Sequence, residues 1–289
     1  TFGILFFHLF SNLYNDYFDV THGTDEANTE YFNAGMDSTI LQGAQLSGGS
    51  RAVELGLITL KGTKSLANIM FVLGLLTASG ILYFSYLNTG STSNAYHAAI
   101  IALIGVLVGY FYTAKPIRLS SRYGLGELSI FLSFGPLLTL GTGFAIAGES
   151  IIPYSTEFYN LLTLGIPIGL LTTNILFINQ YPDYTSDKKV GKNHLVVLLG
   201  KKASRWIYAL NSAIAVGSLY YISENILNET QSSLFLYVLI PITMIYSYYL
   251  INGLFKYYNS RKLIKYNIHT IYFHMFFSFI YMIILANFQ

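Results

Sequence analysis

Two acidic clusters carry the residue types on which chemistry could be built: Asn12-x-x-Asn15-Asp16-x-x-Asp19 and Asn179-x-x-x-Asp183-x-x-x-Asp187. In the first, Asn12, Asn15 or Asp16, and Asp19 recur every three or four residues. In the second, Asn179, Asp183 and Asp187 recur every four. Each set therefore shares one face of a helix. Asp25 and Glu26 follow the first cluster. Hard oxygen ligands one turn apart suit Mg²⁺, which keeps several waters and takes a few carboxylates together with substrate phosphates. One such cluster is an ordinary helix end. Two of them, each with an Asn one turn before its Asp and both on one side of a bilayer, could hold divalent cations and through them a diphosphate.

The elements that must position these groups are membrane helices. The chain has 289 residues, 53% of them hydrophobic and only 10% charged, against about 25% charged in an average soluble domain. A soluble protein of this length cannot hide that much apolar surface, whereas a bilayer can. The single Trp, 25 Tyr and 21 Phe suit helices with aromatic interfacial belts. The absence of cysteine excludes disulfides and thiolate zinc sites. A net charge of +2 gives no argument for nucleic acid.

Residues 1–14 are already apolar, with no basic segment before them, and read as the later part of a membrane helix whose start is missing rather than as a signal peptide. Seven further apolar stretches follow at 66–87, 95–113, 125–147, 158–180, 205–222, 234–255 and 268–288, each close to the length a bilayer requires. The expected fold is all-α, a polytopic transmembrane bundle forming a single domain over 1–289, with eight spans of which the first is partial. All 16 Lys and Arg lie in the first, third, fifth and seventh loops, while the even loops carry only Glu149, Glu157, Glu224 and Glu229. The positive-inside rule places the odd loops, and both aspartate clusters with them, in the cytoplasm of a multi-pass cell-membrane protein.

Other groups lie near the clusters. Ser47-Gly48-Gly49-Ser50-Arg51 is a small-residue turn followed by Arg, either an anion site or a flexible loop with a solvated guanidinium. Lys115, Arg118 and Arg122 share a short loop where at least one charge sets topology. Lys188, Lys189 and Lys192 follow Asp187 and could neutralise a diphosphate or meet anionic headgroups; Lys189 fits the second role better, and Lys188 and Lys192 fit either. His22 and His194 lie near the clusters and read as structural histidines, with no HExxH spacing anywhere. Gly135, Pro136, Gly141, Gly143, Gly165 and Pro167 mark close packing or kinks inside spans.

Taken together, these residues resemble the UbiA superfamily of intramembrane aromatic prenyltransferases. Its two Asp-rich motifs stand here as Asn15-Asp16-Tyr17-Phe18-Asp19 with Asp25, and Asp183-Tyr184-Thr185-Ser186-Asp187. Tyr112-Thr113 with Pro116, Gly124-Leu125-Gly126-Glu127, Phe134-Gly135-Pro136, Asn179-Gln180-Tyr181-Pro182-Asp183 and Gly191-Lys192-Asn193-His194-Leu195 are similar to that family's further motifs. Together they look most like the branch that prenylates 1,4-dihydroxy-2-naphthoate in menaquinone biosynthesis. Lys115 and His194 depart from that branch's pattern. The family has nine membrane helices, which would make the first one absent here.

The resemblance implies catalysis by Asp16, Asp19, Asp183 and Asp187, holding Mg²⁺ on the diphosphate of a polyprenyl donor. Asn12, Asn15 and Asn179 would orient ligands or contact the diphosphate, and Arg51 and Lys188 would add positive charge. Tyr112, Lys115 and Arg118 complete the implied substrate-binding set. Tyr14, Phe18 and Tyr112 are candidates to face an allylic cation. The implied partners are a polyprenyl diphosphate, an aromatic acceptor and the bilayer, with no nucleic acid. A different acceptor (4-hydroxybenzoate, homogentisate, a porphyrin or a glycerol phosphate lipid) would keep the same chemistry. A cation-coupled transporter would instead place acids near the bilayer midplane.

Overall fold

The computed structural model describes residues 2–21, 52–53, 56–90, 92–147 and 151–286. Arg51, the turn at 47–50, His22, Asp25 and Glu26 lie outside the described residues. The described chain is all-helical, with one isolated backbone bridge between Arg122 and Asn193 and no strand. In chain order the helices are α1 (Phe2–Thr21), α2 (Leu60–Thr89), α3 (Thr92–Phe111), α4 (Leu125–Phe134), α5 (Pro136–Ile146), α6 (Thr156–Lys189), α7 (Leu195–Asn225), α8 (Glu229–Leu234), α9 (Ile240–Tyr257) and α10 (Leu263–Ala286). A π-helical turn, Phe235–Leu239, joins α8 to α9.

Among the described residues, six stretches are long and apolar enough to cross a membrane: α2, α3, α4 with α5, α6, α8 through α9, and α10. They coincide with six of the expected spans. The other two expectations fall on α1 and α7, which are 20 and 31 residues long but less apolar. Polar side chains account for this: α1 carries Asn12, Asn15, Asp16 and Asp19, and α7, kinked at Gly200, carries Lys201, Lys202 and Arg205 just after the kink. Outward faces are apolar throughout, with Ile69, Leu76, Phe84, Ile245, Met275 and Phe279 exposed, which is stable only against lipid.

Helix starts follow the capping residues. Thr59 accepts the Gly62 N–H at 3.0 Å, Ser155 the Phe158 N–H at 3.3 Å, and Asn228 the Gln231 N–H at 2.9 Å. α6 runs past the expected end of its span at 180 and on to Lys189, through Pro182, so Asp183 and Asp187 stand on continuous helix. The expected single stretch at 125–147 is broken at Gly135, and Pro136 starts the next helix. The cause is the backbone of α6. A Cβ on Gly135 would lie 2.6 Å from the Gly165 carbonyl oxygen, and one on Gly169 would lie 2.5 Å from that of Phe131. Small residues let the helices approach this closely. Gly165→Val is expected to cost at least about 1–3 kcal/mol, the usual range for overpacking. A thermal melt in lipid reads it as a lower midpoint, and an unchanged midpoint would contradict the close approach.

Two packing units meet at the site. α1 packs with α2 and α3 around Phe10, Tyr14 and Ala67. α6, α7, α9 and α10 form the main core around Phe177, Tyr208, Leu250 and Phe277. Several polar groups inside that core are paired, while Ser247 Oγ and Asn267 Oδ1 are buried with no hydrogen-bond partner among the described residues. Asn174 donates to Ser212 Oγ at 3.0 Å and accepts from Asn211 at 3.0 Å, and the Tyr208 hydroxyl meets Thr270 Oγ1 at 3.0 Å. In lipid such groups have no water to fall back on.

The basic loops gather at one end. Lys64 lies over the Tyr17 ring near the end of α1, and the Arg122–Asn193 bridge joins the third loop to the fifth. Arg205 donates to the Phe255 carbonyl at 2.9 Å and stacks on Phe255 and Tyr258, joining the fifth to the seventh. At the other end Ile151 N–H donates to Asn94 Oδ1 at 3.0 Å.

Candidate functional site

At the basic end, the last turn of α1 faces the last turn of α6. The Lys192 ammonium sits between them, 3.1 Å from Asp19 Oδ1 and 3.8 Å from Asp187 Oδ1. The two oxygens therefore lie no more than about 7 Å apart, the sum of those two contacts. All three side chains are largely buried, with 23%, 10% and 15% of the Asp19, Asp187 and Lys192 side chains exposed. Burial would push the Lys192 ammonium's pKa down, but Asp19, Asp187 and Asp183 more than offset this and raise it above its ordinary 10.5. A raised lysine pKa stabilises the fold below the unfolded value, and that stability is lost only as pH rises through the folded one. The melting difference between wild type and Lys192→Met should therefore stay flat between about pH 7 and pH 9; a steep fall across that window in thermal melts would contradict the pairing.

The loop residues behind these groups are held by a polar lattice. Lys192 N–H donates to the Asp187 carbonyl at 2.9 Å, closing the turn after α6. Asn193 N–H donates to the Ser121 carbonyl at 3.3 Å and its own carbonyl accepts from Tyr123 N–H at 2.9 Å. Glu127, in the first turn of α4 and 4% exposed, accepts at Oε1 from Gln180 Nε2 at 3.1 Å and from Leu195 N–H at 2.9 Å. Its Oε2 is buried with no hydrogen-bond partner among the described residues. Burial first, then the negative field of Glu127, Asp19 and Asp187, pushes the Tyr112 phenol pKa strongly up. The phenol therefore stays protonated and is a hydrogen-bond donor beside the carboxylates.

The expected site residues divide accordingly. Asp19 and Asp187 meet on Lys192, Asp183 adds to the field there, and Asp16 lies one turn before Asp19 on α1. Tyr112 belongs to the same group, and Asn15 Oδ1 accepts from its neighbour Thr113 at 2.7 Å. Asn12 pairs with His8 at 3.2 Å, deeper along α1, and Asn179 Oδ1 accepts from Asn267 at 3.2 Å. Lys188 is exposed, with its ammonium over the Tyr184 ring at 5.8 Å. Lys115 is exposed and joined to Pro116 by a cis peptide, and Arg118 opens the short 3₁₀ turn Leu119–Ser121. Of the aromatic candidates, Tyr14 donates to Asn68 at 2.8 Å and packs with Phe18 and Tyr110. Glu127, Gln180, Thr113 and Asn267 were not singled out as site residues. An acid in the first turn of an apolar helix was the available signal for Glu127.

The donor set fits Mg²⁺ better than a transition metal: carboxylate oxygens with amides beside them and no thiolate. No three Asp, Glu or His side chains converge as a closed cage among the described residues. A cation that keeps its waters and shares substrate phosphates needs no closed cage.

This is a polytopic all-helical membrane protein with paired carboxylates at one end of its bundle. The chain belongs to the UbiA prenyltransferase family, whose profile matches residues 1–280. It is 35% identical over 126 residues to a 2-carboxy-1,4-naphthoquinone phytyltransferase of Synechocystis, covering 43% of this chain and 37% of that one. It is 26% identical over 229 residues to a 1,4-dihydroxy-2-naphthoate octaprenyltransferase of Haemophilus influenzae, covering 79% and 65% respectively. The chain thus spans roughly one to two thirds of the length of these curated relatives. Among solved structures, a UbiA homolog from Archaeoglobus fulgidus bound to GPP and Mg²⁺ shares the fold, with a TM-score of 0.57 and 18% identity over 97% of this chain and 85% of that one.

Proposed function

We propose that the protein transfers a polyprenyl group from its diphosphate to an aromatic acceptor, with 1,4-dihydroxy-2-naphthoate as the acceptor, in an Mg²⁺-dependent reaction on the cytoplasmic face of the cell membrane. The observation that carries this reading is the meeting of Asp19 and Asp187, from separate packing units, around one buried cation. Asp16, Asp19, Asp183 and Asp187 would hold the metal. When bound, Mg²⁺ neutralises the charge that develops as diphosphate departs. The chain's own groups do the rest. Lys192 supplies a second cation, and Tyr112 offers its phenol hydrogen to a leaving oxygen. Asn15, held by Thr113, keeps an amide beside them. The allylic carbon loses diphosphate, and the electron-rich ring carbon of the acceptor attacks it. With a carboxylated naphthoate, loss of CO₂ restores the ring.

The names of the relatives support the naphthoate acceptor, and the bound ligands of the Archaeoglobus homolog support a prenyl diphosphate with Mg²⁺. The test is an assay in lipid with labelled prenyl diphosphate against a panel of aromatic acceptors. Product is expected with 1,4-dihydroxy-2-naphthoate and not with 4-hydroxybenzoate. The reverse result would overturn the acceptor assignment, and no product with any acceptor would overturn the reaction.

A further inference from the structure

His194 is 2% exposed beside the candidate metal site. Its backbone (φ −71, ψ 169) places it as the N-cap of α7. Ring atom Nδ1 lies 3.3 Å from Val197 N and accepts that amide hydrogen, a role usually filled by a Ser or Thr hydroxyl. A ring nitrogen that accepts carries no hydrogen, so the ring hydrogen sits on Nε2. Nε2 lies 3.1 Å from Asp187 Oδ2 and donates to it. The opposite oxygen, Oδ1, faces Lys192 at 3.8 Å.

We infer that His194 is a positioning residue for Asp187: it ties Oδ2 to the start of α7 and presents Oδ1 to the cation. The inference rests on the reading of Asp187 as a metal ligand. The ring does two jobs at once, and the cap fixes the tautomer that makes the second job work. A capping hydroxyl alone ends too near Cβ to span the ring's reach to Asp187. Hydrogen bonds to ligating carboxylates orient them, and losing such a partner typically weakens metal binding about 10–100-fold.

Two substitutions separate the jobs. His194→Thr keeps a cap and removes the reach. His194→Gln keeps an N–H near the Nε2 position and gives up the better cap. Mn²⁺ binding to the full chain in lipid nanodiscs, alone and with inorganic pyrophosphate, is read from the paramagnetic resonance of free Mn²⁺, with thermal midpoints measured alongside. His194→Thr is expected to bind Mn²⁺ about 10-fold more weakly at an unchanged midpoint. His194→Gln is expected to bind within about threefold of wild type at a lower midpoint. Wild-type binding by His194→Thr, or an equal loss in both variants, overturns the inference while leaving the metal reading intact. No Mn²⁺ binding by the wild type overturns both. Should neither variant fold, the wild-type ring ¹⁵N shifts decide: an Nε2–H tautomer whose signal moves on adding Mg²⁺ supports the inference, and a signal that Mg²⁺ leaves in place overturns it.

Discussion

Asp187→Ala is expected to lower prenyl transfer by at least 10²–10³-fold, on the order of what removing one preorganised group at a developing charge does. The substitution acts on three contacts. It removes one of the two carboxylates that meet at Lys192, leaves His194 Nε2–H without its acceptor, and empties one end of the candidate cation site. Asp183→Ala and Asp16→Ala should fall in the same range if the four aspartates act as one unit. Initial rates with labelled prenyl diphosphate at saturating Mg²⁺ check this, with helical circular dichroism as the control for folding. Near-normal turnover in these variants would sink the mechanism. Rescue at high Mg²⁺ would separate lost affinity from lost chemistry.

Glu127→Ala carries the largest expected effect on stability. One carboxylate oxygen accepts both the Gln180 amide and the Leu195 N–H, from two different helices. Alanine would strand two buried donors, each at about 1–3 kcal/mol. The thermal midpoint in lipid should fall by several degrees, and Glu127→Gln, which keeps an acceptor oxygen, should fall less. Equal midpoints for wild type and both variants would show that these bonds do not hold the loops together. Because α4, α6 and α7 meet at Glu127, activity should decline along with stability.

Much of this arrangement was legible in the chain. The alternation of basic and acidic loops depends only on which residues can cross a bilayer, so the ends of the bundle followed from composition. The Asp spacing required helix through Asp19 and through Asp187, and both lie on helix. What could not be read were contacts between loops distant in sequence. The Lys192–Asp19 pair joins residues more than 170 positions apart, and nothing local marks it. Glu127 stood inside a noted motif, yet its role depends on Gln180 and Leu195 arriving from other elements. His194 read as structural because a lone histidine has no pattern, and its two bonds emerge only when α7 is capped beside α6. The break at Gly135 was legible as a kink but not its cause, since the approach of Gly165 and Gly169 is tertiary.

The most direct test of the central claim, that the two aspartate clusters form one Mg²⁺–diphosphate site, is the Mg²⁺ dependence of labelled prenyl transfer in wild type, Asp19→Ala, Asp187→Ala and the double variant. The account predicts no product without Mg²⁺, a severe loss in each single variant, and a double variant hardly worse than either one, because the two residues serve the same site. Independent losses that multiply in the double variant, or transfer that persists when Mg²⁺ is chelated, would contradict it.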